Sequence, residues 1–342
     1  MNLAEIKNPL MLKKLLLVFF LSVAARGVAQ EGIPVYSDYL SDNLYLLHPS
    51  MAGAARANQI RLTARQQWFD VDDAPNLQTL SVNGRVGDKV GLGAIVFADQ
   101  NGYFSQLGAY ATFAYHILLS RNYIDLNQLS FGVNVGVLQN TIDETNFPSQ
   151  PFDPVITGGN PTDNFFNVDL GISYFFLDFY AHATVKNVLP RQRELFSQEL
   201  ESKNQRRYLL SAGYIFGRLN GDWKYEPSMM FQATDETREA TVDANFKVYR
   251  KFDWGQLWGG LSYRRSLDGA EFTQNDEQVR SQKLQYLTPI LGVNWGDWLV
   301  AYTYSYQMNS VVLTNGGFHQ ITLGYDFGER REEYECFCPA IN

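Results

Sequence analysis

From about residue 58 onward the chain alternates apolar and polar positions in runs of about ten. Phe131, Val133, Val135 and Val137 oppose Ser130, Gly132, Asn134 and Gly136. Val168, Leu170, Ile172 and Tyr174 oppose Asn167, Asp169, Gly171 and Ser173, and Val242, Ala244, Phe246 and Val248 oppose Thr241, Asp243, Asn245 and Lys247. Near the end, Ile321, Leu323, Tyr325 and Phe327 oppose Gln320, Thr322, Gly324 and Asp326. Side chains alternate across a strand, so each run is a strand with one greasy and one polar face. The pattern predicts fourteen strands: 59–68, 76–86, 90–98, 104–118, 128–139, 164–176, 178–187, 205–216, 223–232, 239–250, 254–265, 283–295, 298–307 and 317–328. No helical period competes with them.

The links between these runs carry a second signal. Counting from the second strand, every other link is short: Gly87 to Lys89, Leu177, Gly217 to Asp222, Lys251 to Asp253 and Gly296-Asp297, with 119–127 of moderate length. The links on the other side include long ones at 140–163, 188–204 and 266–282. Outer-membrane barrels have short periplasmic turns and longer extracellular loops. The expected fold is therefore all-β, a transmembrane antiparallel up-and-down barrel of about 14 strands over 58–328. A last strand pairing with the first would leave no sheet edge in hydrocarbon. An even strand number puts both termini in the periplasm, and 329–342 becomes a periplasmic tail.

Tryptophan placement fits two interfacial levels. Trp223, Trp254, Trp295 and Trp298 lie beside short turns, and Trp68 closes the first strand at the opposite side. Amphipathic rings are favoured at the membrane–water interface, so these five form the expected girdle. Trp258 sits deeper in its strand. Core tryptophan in a soluble sheet is the competing reading.

Composition sharpens the picture in places. The 342 residues include 20 Tyr and 23 Phe, abundant enough to supply strands and girdles. Mean hydropathy is -0.24, and no window beyond residue 30 offers the roughly 20 apolar residues of a spanning helix. The net charge of -8 argues against a nucleic-acid partner. Lys13-Lys14, an apolar run from Leu15 to Ala25 and Gly27-Val28-Ala29 read as a secretory signal peptide over 1–29, with Met11 an alternative start. Between it and the barrel, residues 30–57 lack alternation and read as an ordered lead-in or a lumen plug. Gly132, Gly136, Gly171 and Ser173 make part of the inward face small, with room for that lead-in or for a partner segment.

Candidate chemistry is sparse. Phosphate-loop, nucleotide-fold and metalloprotease motifs are absent from the sequence, and no Ser, His and acid arrangement stands out. Val90-Gly91-Leu92-Gly93 lies in an alternating strand, where packing explains its glycines. Asp143, Glu144, Asp153 and Asp163 match no calcium loop and read as solvated loop charge. His182 and Lys186 share a face with Tyr180 and Thr184 and read as lumen lining. Cys336 and Cys338 are too close in sequence for an ordinary bridge, and the four histidines lack ligand spacing, so no metal or cofactor is expected.

Several short motifs, in order, resemble the PorP/SprF family of outer-membrane proteins associated with type IX secretion and gliding in Bacteroidota. They begin at Tyr36-Ser37-Asp38-Tyr39 and continue through His48-Pro49-Ser50-Met51-Ala52-Gly53 and Arg65-Gln66-Gln67-Trp68, with Ala74-Pro75 just beyond. Val90-Gly91-Leu92-Gly93 leads to Asp99-Gln100-Asn101-Gly102, and Phe318-His319-Gln320-Ile321 opens the final strand. The family-motif positions are thus His48, Pro49, Gly53, Arg65, Gln67, Trp68, Pro75, Asp99, Gly102 and His319. His48, Ser50 and Gln320 depart from the family's usual Asn, Ala and Glu. The resemblance implies a non-enzymatic outer-membrane component. Its partners would be a secreted surface protein carrying a C-terminal sorting domain, such as a gliding adhesin, and periplasmic type IX components, with outer-membrane lipid around it. The alternatives are an uptake channel for hydrophobic or small solutes and a lipid-modifying barrel enzyme.

Overall fold

Each polar–apolar run becomes a strand whose apolar side chains point away from the sheet's enclosed face. The computed structural model describes residues 43–67, 74–120, 125–145, 147, 158–189, 205–218, 221–235, 237–273, 279–308 and 317–331. The expected signal peptide at 1–29, residues 30–42, Trp68, Asp153 and both cysteines lie outside the described residues. The strands are β1 (Asn58–Gln67), β2 (Asn76–Val86), β3 (Val90–Asn101), β4 (Phe104–Leu118), β5 (Asn127–Ile142), β6 (Thr162–Phe176), β7 (Phe179–Lys186), β8 (Arg207–Tyr214) and β9 (Phe216–Gly217). They continue with β10 (Trp223–Thr234), β11 (Ala240–Phe252), β12 (Gly255–Ser266), β13 (Ala270–Thr273), β14 (Val279–Gln282), β15 (Gln285–Trp295), β16 (Trp298–Gln307) and β17 (Phe318–Phe327).

Neighbours in sequence pair antiparallel around the sheet, and β17 returns to β1 over the register Asn58↔Phe327 to Gln67↔Phe318. That pairing closes the cylinder. It is a 14-stranded barrel, because β9 continues β8 and the β13–β14 hairpin forms a separate sheet. The hairpin lies inside the 266–282 link that alternation alone treats as a loop.

The break between β8 and β9 corrects the single strand expected over 205–216. Ser228 pairs with Gly213 and Tyr225 with Phe216, so the register continues, but Pro227 lies between them. Proline has no N–H for the ladder. Pro289 similarly lies in the interruption of the β15–β16 ladder, between Leu287↔Tyr306 and Ile290↔Thr303.

The two faces differ as lipid and lumen require. Leu62, Leu80, Val96, Phe113, Val137, Leu170, Leu291 and Leu323 are exposed on the outside. Polar residues are buried inside, including Asp243, whose carboxylate takes both Nε and Nη2 of Arg264 at 2.6 and 2.7 Å. Burying such a charge is tolerable only with paired hydrogen bonds. Residues 43–57 also lie within the cylinder. They carry short 3-10 turns at Leu44–Leu46 and Pro49–Met51, and Tyr45, Leu46, Leu47, His48, Pro49, Ser50 and Met51 are all buried.

Candidate functional site

The segment 43–57 has too few residues for a core of its own, so it borrows the wall's inward face. Small wall residues make the space. A Cβ on Gly132 would lie 2.2 Å from Ser50 N, one on Gly91 2.0 Å from Ala52 O, and one on Gly93 2.3 Å from the Tyr45 hydroxyl oxygen. On Gly171 it would meet the Pro49 ring at 2.9 Å. Gly136 serves another purpose: its missing side chain admits the Tyr110 ring.

Polar contacts then fix the segment from one end to the other. Asn43 Nδ2 donates to Ser81 Oγ at 3.3 Å. The Tyr45 hydroxyl meets Thr112 Oγ1 at 2.5 Å, and Thr112 in turn donates to Asn134 Oδ1 at 2.6 Å. Lys186 Nζ donates to the Leu46 carbonyl at 3.0 Å. His48 spans two strands, with Nδ1 2.8 Å from Thr184 Oγ1 and Nε2 3.1 Å from Ser211 Oγ. Its ring stacks on His182 with centroids 4.7 Å apart. Burial, then the neighbouring His182 and Lys186, hold His48 well below the usual histidine range, which keeps it neutral near pH 7. Burial likewise pushes the Tyr45 phenol up.

Ser50 Oγ lies 2.6 Å from Ser173 Oγ, which lies 2.7 Å from His182 Nδ1. Spacing in the sequence gave no sign of this Ser–His pair. It is fully enclosed, with Phe175, Tyr180 and His48 rings around the imidazole. The described contacts give that pair an anchoring job at Ser50. No group of three or more His, Cys, Asp or Glu suited to a metal occurs among the described residues.

At the short-turn end the segment is clasped by arginines. The Ala52 carbonyl accepts from His116 Nε2 at 3.0 Å, which leaves His116 Nδ1 to accept from Ser130 Oγ at 2.8 Å. Gly53 adopts φ +67, a left-handed conformation suited to glycine, where its N–H donates to Asn83 Oδ1 at 2.9 Å. Its carbonyl takes Arg85 Nε at 2.8 Å. Arg331, just beyond the last strand, sends Nη2 to the carbonyls of Gly53, Ala54 and Ala55. Arg331 N donates to Arg56 O at 3.2 Å, and Arg56 Nε donates to Arg331 O at 2.8 Å. The residues that lead into β1 and the one that ends the described chain therefore meet at one mouth of the barrel.

The sequence-selected residues do not converge. His48, Pro49 and Gly53 belong to the lumenal segment. Arg65 is buried on the inner face of β1, with its guanidinium 4.3 Å from the Phe318 ring centroid. Gln67 N donates to the Pro75 carbonyl at 2.9 Å, joining β1 to β2 beyond their ladder. Asp99 lies on the inner face of β3, and Gly102 turns the chain toward β4 at φ +60. His319 faces outward, its Nδ1 2.6 Å from the Tyr302 hydroxyl. Trp223, Trp254, Trp295 and Trp298 are exposed at the short-turn end, 47%, 50%, 65% and 56% respectively. Trp258 is buried inside, its Nε1 donating to Asn294 at 2.9 Å. Sequence reasoning missed Tyr45, Arg85, His116 and Arg331. Arg85 and His116 had a visible cue, their inward parity in alternating strands.

A family model described as type IX secretion system membrane protein PorP/SprF matches residues 28–325. The chain belongs to the PorP/SprF family. The family assignment and the closed barrel together make it an outer-membrane β-barrel of the type IX secretion system. No curated protein matches this PorP/SprF chain. Among solved structures it is similar to a Pseudomonas aeruginosa FadL homologue, at 10% identity and TM-score 0.49, with 84% of this chain and 94% of that chain covered. It is also similar to the CymD monoaromatic hydrocarbon channel, at 9% identity and TM-score 0.49, covering 86% and 94%. The Ralstonia pickettii toluene transporter TbuX gives 10% identity and TM-score 0.46, covering 85% and 94%.

Proposed function

We propose that this PorP/SprF barrel is a non-enzymatic scaffold that binds a secreted surface protein, such as a gliding adhesin, and helps to secrete or anchor it. Periplasmic type IX components engage its short turns and the tail at 329–342, so the barrel links that machinery to the membrane. The exposed Trp223, Trp254, Trp295 and Trp298 act as the periplasmic-side girdle, with Trp68 at the outer level. The long loops at 140–163, 188–204 and 266–282 are the recognition surface, because loops on a rigid frame are where binding concentrates.

The reading is supported above all by the segment docked inside the barrel. Residues 43–57 run along the β2–β8 wall on side-chain and backbone hydrogen bonds, and Arg331, just beyond the last strand, grips their C-terminal part. A lumenal segment fixed in this way suits a binding scaffold better than an open solute path.

Photocrosslinking residues placed singly in the three long loops and in the tail test the proposal. Loop positions are expected to capture a secreted protein with a C-terminal sorting domain, and tail positions to capture periplasmic type IX components. Loops that capture nothing from secreting cells would end the cargo-binding reading.

A further inference from the structure

Arg250 lies near the outward end of β11, after Val242, Ala244, Phe246 and Val248 and just before Phe252. Its partner on β10 is Trp223. The guanidinium carbon sits 5.1 Å from the Trp223 ring centroid and 4.6 Å from that of Phe252. Phe252 in turn stacks on Trp254 at 5.3 Å and 13°. Among the described residues no carboxylate or carbonyl accepts a hydrogen bond from this guanidinium, and the residue is exposed. The aromatic contacts hold the cation in place while its N–H groups stay open. A planar donor fork of this kind fits phosphate oxygens two at a time.

A second observation lies further along the same strands. A groove of about 650 Å³ opens in the outer wall over β6, β7, β8, β10 and β11. Ala181, Ala183 and Ala212 keep it low, and Tyr174, Leu210, Met229 and Phe231 stand around them. Its lining includes His182 and Ser211, but His182 Nδ1 and Ser211 Oγ are engaged on the lumen side with Ser173 and His48, and His182 Nε2 is buried without a partner, so the groove surface is apolar. Ala181, Ala212, Met229 and Ala244 follow one another in register across the wall. Met229 is six residues beyond Trp223 on the outward face of β10, a run of about 20 Å along the strand. With the usual barrel tilt that is about 15 Å of depth, half of a hydrocarbon core of about 30 Å. The groove thus lies where the acyl chains of a lipid with its phosphate at Arg250 would end.

We propose that this wall binds one glycerophospholipid of the periplasmic leaflet. Its phosphate sits on Arg250 beside Trp223 and Phe252, and an acyl chain lies along β10 and β11 into the alanine-floored groove. The leaflet rests on the orientation given above, with short turns on the periplasmic side.

Native mass spectrometry of the full chain in detergent, titrated with palmitoyl-oleoyl phosphatidylethanolamine, tests the site. The unaltered chain is expected to hold one phospholipid. Arg250→Gln weakens binding about tenfold, as loss of a charge-assisted pair implies. Ala212→Phe, or Ala181→Phe if the first variant fails to assemble, fills the groove and weakens binding too. Arg265→Gln, which removes an exposed cation at the far end of β12, leaves it unchanged. Equal binding by Arg250→Gln and Arg265→Gln would overturn the proposal, as would unaltered affinity in assembled groove-filled variants. Competition by inorganic phosphate alone, or Arg250-dependent binding of lipid A in place of phospholipid, would overturn the assignment to this lipid. Heat-modifiable electrophoretic mobility confirms that each variant is folded.

Discussion

Gly132→Ala adds a single methyl group to the barrel wall, yet it is aimed at backbone. The new carbon would lie 2.2 Å from Ser50 N, 2.3 Å from Pro49 C and 2.5 Å from Pro49 O. Ordinary carbon contacts are about 3.5–4.0 Å, so the segment has to retreat by about 1 Å or more. The 2.6 Å contact between Ser50 and Ser173 does not survive such a shift. Overpacking of this kind costs about 1–3 kcal/mol. Much of that cost falls on the docked segment, because the wall is held by ladders on both sides of Gly132. A middle value of about 2 kcal/mol raises the undocked fraction roughly thirtyfold. The assay is thiol labelling at Ala54→Cys, a fully enclosed position, in a background with Cys336→Ser and Cys338→Ser. Gly259→Ala is the control, since a Cβ there meets its nearest atom at 3.6 Å, an ordinary contact. Gly132→Ala is expected to label at least tenfold faster than the control while the folded barrel keeps its heat-modifiable mobility. Equal labelling rates would refute the claim that Gly132 exists to admit the segment.

Other consequences follow from the same geometry. Asp243→Asn leaves Arg264 charged and poorly paired inside the barrel, and thermal unfolding should report a loss of about 3–5 kcal/mol. Val135→Arg puts a charge at the centre of the lipid face of β5 and should cost about 2–4 kcal/mol in bilayer refolding titrations. His48 binds its proton less readily folded than unfolded, so acidification below the ordinary histidine pKa of about 6.5 favours the undocked form. Stability is therefore expected to fall from pH 7 to pH 5, and His48→Gln should flatten part of that slope in melting experiments.

The cylinder was legible because lipid and lumen impose opposite chemistry on alternate residues, and runs such as Phe131 to Val137 obey it without interruption. The break at Ile215 was harder to read, since the proline that accompanies it, Pro227, lies on the neighbouring strand and its facing position depends on the register. The β13–β14 hairpin was hidden in a link with little alternation. Small inward residues were visible as vacant room, but Gly132 and Gly171 do not say what enters it. Gly91 and Gly93 looked like strand packing, whereas they also face Ala52 and Tyr45. The clasp was beyond reach: Arg331 and the carbonyls it grips are about 275 residues apart, and nothing local marks the arginine.

Single-channel recording in planar bilayers tests the central claim most directly, comparing the mature chain with a variant lacking residues 30–57. The filled-lumen account predicts a silent mature chain and steady current through the shortened one. Steady, solute-selective current through the mature chain at the level of the shortened barrel would contradict it and favour the uptake channel.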